Sequence, residues 1–191
     1  MMVALFAGLA AGLLHVFSGP DHLAAVAPLT SDRDRQHWQT GLQWGAGHTA
    51  GVLCIAALLL LVREQLPLDA WSAYSERLVG VALIAVGAWG LWKARRRAKP
   101  HSHAGASFVM GALHGVAGSS HLFGVLPALA FSIRADAALY LTGFAVGAIA
   151  AMTAFAAGVG LAAIRFGHAR HFLYASSAAA LVIGGVWLVG R

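Results

Sequence analysis

Charged side chains are scarce in this chain, at 10% of the residues, and cysteine occurs once, at Cys54. A single cysteine cannot form an intramolecular disulfide, which argues against thiol-pair redox chemistry. No P-loop motif occurs, so the sequence offers no such site for nucleotide hydrolysis. What remains is 59% hydrophobic residues and 23 glycines. This composition is typical of an integral membrane protein and not of a soluble domain.

Uncharged stretches predict six membrane spans, because a helix needs about 20 mostly apolar residues to cross a bilayer. The third stretch is the shortest, but it can extend back through Trp71 and Tyr74 and is flanked by Trp92, an aromatic residue of a type common at membrane interfaces. The fold class predicted is therefore an all-α integral membrane protein with six transmembrane helices. The six stretches are residues 1–20, 36–62, 78–92, 104–133, 137–164 and 172–190.

The formal net charge of +6 lies in the loops between these stretches. Nine Lys and Arg residues follow spans one, three and five, and four lie on the opposite side. The positive-inside rule then predicts that loops 30–38, 93–105 and 165–171 are cytoplasmic and both termini external, in a multi-pass protein of the inner (plasma) membrane. Because the basic residues lie in loops and set the membrane topology, we expect a lipid bilayer as the partner and no nucleic acid. The sequence leaves a homo-oligomer open.

The chain contains an internal repeat. A shift of 99 residues superposes His15 on His114 and His22 on His121. This repeat predicts a single transmembrane domain of two three-helix repeats, residues 1–97 and 104–191. A predicted basic linker, residues 93–105, overlaps the end of the first repeat and the start of the second. Since each repeat has an odd number of spans, the second enters the membrane from the opposite side, as in many secondary transporters.

Both repeats carry an interruption between their paired histidines. Gly19 and Pro20 interrupt the first span, and Gly118 begins a Gly-Ser-Ser sequence at the equivalent place in the second half. Broken helices at membrane depth are tolerated where they line a cavity, and matched breaks indicate a binding site between the repeats. The sequence therefore predicts broken helices 1 and 4.

Asp21 is the one acidic residue within a predicted hydrophobic segment, the otherwise apolar stretch of residues 12–29. A buried carboxylate costs several kcal/mol unless a cation accompanies it, and no Lys or Arg lies in a span. Histidines do, and imidazoles with one carboxylate suit a borderline divalent metal ion. The predicted metal ligands are His15, Asp21, His22 and His48. Imidazole must be neutral to bind a metal, so binding should weaken as the pH falls through the imidazole range.

The second half offers a weaker set, because serines stand where the first half has Pro20 and Asp21. This set could supply hydroxyl groups, a transient relay or only packing. Its members are His114, Ser119, Ser120 and His121. The other five histidines fall on the predicted cytoplasmic side and are not assigned as ligands: His37, His101, His103, His168 and His171.

The segments "HVFSGPDHL" and "WGAGHTAGV" resemble the nickel/cobalt transporter superfamily, in particular its short six-span bacterial and plastid-type members. In that family a His precedes an Asp-His pair on one span, and the next span carries an aromatic residue followed by Gly-His-Thr or Gly-His-Ser. His15, Asp21 and His22 match the first motif, and Trp44 and His48 match the second. The resemblance implies transition-metal transport.

The predicted function is secondary transport of Ni²⁺ or Co²⁺ by alternating access. The metal is the transported substrate, with no permanently bound cofactor, and the chain is not an enzyme. Three alternatives stay open: a membrane accessory protein that delivers metal to a nickel enzyme such as urease, a haem protein with paired histidine ligands, and an intramembrane hydrolase using Ser119 or Ser120.

Overall fold

A computed structural model describes residues 1–30, 37–62, 68–96, 104–117, 124–166 and 169–189. All regular structure in these ranges is helical, so the all-α prediction is confirmed for them. The helices are α1 (Met2–Ser18), α2 (Pro20–Thr30), α3 (His37–Val62), α4 (Leu68–Arg96), α5 (Ala104–Ala117), a 3₁₀ turn (Leu126–Ala130), α6 (Arg134–Arg165) and α7 (Ala169–Val189).

The first apolar segment is two helices that meet at a sharp bend. Gly19 is extended, with φ −94° and ψ 98°. Pro20 then opens α2, where its fixed φ suits a first helical turn and its missing N–H leaves no donor without a partner. The axes of α1 and of residues Asp21–Thr30 differ by 75°. The bend places the start of α2 next to the end of α1.

The fourth predicted span, 104–133, is not one continuous helix. Helix α5 ends at Ala117, and the chain next forms the 3₁₀ turn at Leu126–Ala130. Pro127 lies in the first residues of that turn, a position that tolerates the loss of an N–H group. Gly118, at which the break was predicted, lies outside the described residues.

Helices pair through glycines that bring two backbones close together. A Cβ added at Gly12 of α1 would collide with the carbonyl oxygen of Phe144 in α6, and one added at Gly111 of α5 would collide with that of Trp44 in α3. Such contacts are typical of helix packing in membranes. They join α1 to α6 and α3 to α5, while α4 packs on α7 through Gly80 and Gly184.

These contacts are related by the offset of the internal repeat. Adding 99 to Gly12 gives Gly111, and adding 100 to Trp44 gives Phe144, so the contact of Gly12 with Phe144 corresponds to that of Gly111 with Trp44. Each of these two pairs therefore takes one helix from each predicted repeat.

One helix among the described residues, α6, is long and apolar enough to cross a membrane by itself. Helices α1 and α2 meet the same criterion when the bent pair is taken as one span. Leu83–Trp92 within α4 and Gly105–Val116 within α5 are shorter apolar segments. The full set of six spans stays a prediction.

Candidate metal site

Five side chains that can bind a metal meet where α1, α2, α3 and α5 come together. His15 lies in the last turn of α1, and Asp21 and His22 in the first turn of α2. His48 lies within α3, and His114 in the last turn of α5. The exposed fractions are 2% for Asp21, 1% for His22, 0% for His48 and 3% for His114, and His15 is half-buried.

Three of the imidazoles lie on one side of the cluster. His15 Nε2 and His48 Nε2 are 3.4 Å apart. The His22 ring packs edge-on against both, with ring centroids 4.7 Å from His15 and 4.8 Å from His48. One nitrogen from each ring lies within 4.8 Å of the other two, which makes these three residues a group that can hold a metal ion.

The Asp21 carboxylate lies between two imidazoles. Its Oδ2 is 3.1 Å from His114 Nε2, and its Oδ1 is 3.2 Å from His22 Nδ1. Asp21 also lies in the first turn of α2, where the helix dipole favours negative charge. The three residues form a second group that can hold a metal ion.

Gly19 makes this close approach sterically possible. A Cβ at position 19 would collide with His22 Nδ1 and would lie 2.9 Å from Asp21 Oδ1. The backbone there is extended and open to any residue, so contact with these two side chains, and not backbone conformation, is what requires glycine.

Two aromatic rings enclose the histidines. Trp44, 1% exposed, stacks on His48 with ring centroids 5.1 Å apart and ring planes 11° apart. Phe144, its counterpart in the repeat, lies 5.3 Å from the His15 ring. In the sequence, Trp44 was only part of a motif, and Phe144 was not predicted at the site. The offset of the internal repeat, which relates Trp44 to Phe144, was the signal that could have identified Phe144.

The structure brings together the four predicted ligands of the first half and adds His114 from the second. Ser119, Ser120 and His121, with Gly118, lie outside the described residues. Of the histidines not assigned as ligands, His101, His103 and His168 are also outside them. His37 is buried beside Gly160, and His171 is exposed. Within the described ranges, neither takes part in a group of potential metal ligands.

The donor set suits a transition metal. Four imidazoles and one carboxylate are the ligands that nickel, cobalt, copper and zinc ions share, whereas magnesium and calcium prefer all-oxygen sites. A divalent ion here would also compensate the buried negative charge of Asp21.

The chain is similar to three curated proteins. It is 39% and 37% identical to the chloroplast proteins FOR GROWTH AND FERTILITY 2 and 1 of Arabidopsis thaliana, and 28% identical to the urease accessory protein UreH of Bacillus sp. strain TB-90. Each match covers about half of this chain, at 51% or 52%. The aligned part spans 27% of each Arabidopsis protein and 42% of the Bacillus protein.

No protein-family model and no solved structure matches the chain. The chloroplast and bacterial relatives agree loosely with the resemblance to short plastid-type and bacterial members of the nickel/cobalt superfamily. None of the three names describes an enzyme, in agreement with the prediction that this chain is not one.

Proposed function

We propose that this chain is a secondary transporter of divalent transition-metal ions, with Ni²⁺ or Co²⁺ as its substrate. The observation that carries the proposal is the buried cluster of imidazoles around Asp21, contributed by four helices. Its ligands are His15, Asp21, His22 and His48. A purely structural cluster would bury these polar groups at a cost that apolar residues of the same volume avoid.

The proposed setting is a multi-pass membrane protein with six spans in two inverted repeats. The length of α6 and the bent α1–α2 pair support it. The repeat-related contacts at Gly12 and Gly111 support a two-fold relation between the halves, because a two-fold axis exchanges such contacts. An interrupted helix beside the site is also typical of such transporters.

The mechanism proposed is alternating access. An ion exchanges its water for imidazole nitrogens and the Asp21 carboxylate, and motion of the helices then opens the site to the other side. Glycine contacts join α1 to α6 and α3 to α5, and Gly41 of α3 also packs on α6. His15 lies on α1 and His48 on α3, so motion of one of these helices relative to the other changes the distance between ligands.

The membrane potential can supply the energy for uptake. A divalent cation that moves inward through about 100 mV gains about 4.6 kcal/mol, twice the value for a single charge. Export against the same potential requires exchange with another ion. Transport assays run in both directions distinguish uptake from export.

Proteoliposomes containing the purified chain test the proposal. We expect Ni²⁺ or Co²⁺ to be transported in preference to Zn²⁺, Mn²⁺ and Fe²⁺, with transport lost in His22→Ala and kept in His171→Ala, which removes an exposed histidine outside the cluster. Rates are the required readout, because affinities at most nitrogen and oxygen sites follow one common order. Equal rates for wild type, His22→Ala and empty liposomes would refute the proposal.

The name of the Bacillus relative favours one second candidate, delivery of metal to a nickel enzyme. An accessory protein would bind Ni²⁺ at the same cluster and bind a urease component in a pull-down, without carrying ions across proteoliposomes. The haem alternative fits the cluster poorly. His22 packs against both His15 and His48, so a macrocycle between those two rings would have to displace it.

A further inference from the structure

The five side chains of the cluster form two overlapping sets of three. The outer triad, His15, His22 and His48, contains the half-exposed His15. The inner triad, Asp21, His22 and His114, has all members at 3% exposure or less. No larger set within the described residues meets the same spacing, and His22 belongs to both triads.

We propose that a transported ion occupies two successive positions, one in each triad, and that His114 is a metal ligand at the inner position. This inference rests on the proposed transport function and specifies how its site is built.

The spacings suit an ion in either place. Ligand atoms bound about 2.0–2.2 Å from a metal such as zinc stand about 2.8–3.6 Å from one another in tetrahedral or octahedral geometry. His15 Nε2 and His48 Nε2, at 3.4 Å, meet this requirement in the outer triad. Asp21 meets it in the inner triad, at 3.1 Å from His114 Nε2 and 3.2 Å from His22 Nδ1.

The shared histidine gives a route between the two positions. His22 presents Nδ1 toward Asp21, and its ring carries Nε2 on another edge. An ion that stays close to His22 while its other ligands are replaced does not return to a fully hydrated state between the positions. The ion therefore loses its hydration shell only once in each transport event.

One histidine of the outer triad corresponds to one histidine of the inner triad in the internal repeat. His15 and His114 are equivalent under the 99-residue offset, and each belongs to one triad only. His15 lies on α1 and His114 on α5, so motion of these helices relative to each other changes which of the two histidines is close to an ion beside His22.

The test compares Ni²⁺ binding and transport in wild type, His114→Gln, His48→Gln, the double variant and His22→Gln, with His171→Gln as the matched control. A glutamine at 114 can still donate a hydrogen bond to Asp21, so it preserves a merely structural role. We expect each single triad variant to lose transport while Ni²⁺ still binds at the other triad, and the Kd to rise by about tenfold or more only when both positions are damaged. The double variant should bind as poorly as His22→Gln.

A second measurement reports ligation directly and does not depend on transport. In a Cys54→Ser background, His114→Cys loaded with Co²⁺ should show a thiolate-to-cobalt charge-transfer band in the near ultraviolet, and His171→Cys should not. This variant decides the question if His114→Gln does not fold. Absence of the band would then overturn the inference.

The outcomes separate this inference from the proposed function. Wild-type affinity and transport in His114→Gln, with both lost in His48→Gln, would overturn the two-position site and leave the transporter intact. Wild-type protein that neither binds nor transports Ni²⁺ or Co²⁺ would overturn both.

Discussion

Replacing Asp21 with asparagine isolates the charge of the buried carboxylate, because the two side chains have nearly the same shape. Asp21 lies within 3.2 Å of nitrogens of both His22 and His114 and is 2% exposed. Hydrogen bonds to a charged group contribute about 1.5–3 kcal/mol, and the carboxylate contributes a comparable amount to a bound cation. We expect Asp21→Asn to raise the Kd for Ni²⁺ by about 10- to 100-fold.

The same change should reduce the stabilisation that metal gives to the fold. At a Ni²⁺ concentration one hundred times the wild-type Kd, binding stabilises the wild-type protein by about 2.7 kcal/mol. A 10- to 100-fold weaker Kd lowers this to about 1.4–0.4 kcal/mol by the same relation. Without metal, the variant should unfold at the same temperature as wild type or higher, since it removes a buried charge.

Thermal unfolding in detergent, with and without Ni²⁺, measures both quantities, and equilibrium dialysis gives the Kd. An unchanged Kd would refute the role of Asp21 as a ligand. A large loss of stability in the metal-free variant would show instead that the carboxylate holds the histidines in place as a structural group.

Three further substitutions test the packing around the site. Gly19→Ala should weaken Ni²⁺ binding by about tenfold in dialysis, because its Cβ displaces His22, and unchanged binding would contradict the geometry. Gly111→Ala should lower the unfolding temperature, because the added Cβ collides with the Trp44 carbonyl oxygen. Gly105→Ala is the control and should not lower it, because nothing lies within 4 Å of the added Cβ. Equal effects of the two substitutions would refute the close contact of α3 and α5. Trp44→Ala should cost about 3–5 kcal/mol of unfolding free energy in denaturant titrations, and a cost under about 1 kcal/mol would mean that the ring is not part of the core.

The first-half cluster could be predicted from local sequence because its chemistry is unusual for an apolar segment. Asp21 had no Lys or Arg in a span to accompany it, which left His15, His22 and His48 as its partners. The structure places all four side chains together. Their coordination of a metal stays a proposal that the binding experiments test.

The contribution of His114 could not be read from its own surroundings in sequence. Its contact with Asp21 depends on the packing of α5 against α3, through Gly111 and Trp44, and on the bend at Gly19. These are contacts between distant segments, which hydrophobic patterning does not specify. The 99-residue repeat placed His114 opposite His15 in an alignment but gave no distance between them.

The sequence predicted a break in the fourth span at Gly118, but it did not predict the 3₁₀ turn at Leu126–Ala130. Residues 104–133 are uncharged throughout, so composition alone marks no end of a helix within them. The end of α5 at Ala117 and the 3₁₀ turn at Leu126–Ala130 depend on backbone geometry that hydrophobicity does not encode.

Initial rates of Ni²⁺ and Co²⁺ uptake into proteoliposomes held at an inside-negative potential test whether the cluster around Asp21 carries metal transport. We expect uptake by the wild-type chain and by His171→Ala, and background rates for Asp21→Asn and His22→Ala at metal concentrations near the wild-type Kd. Uptake by all four proteins at the same rate, or by none of them, would contradict it.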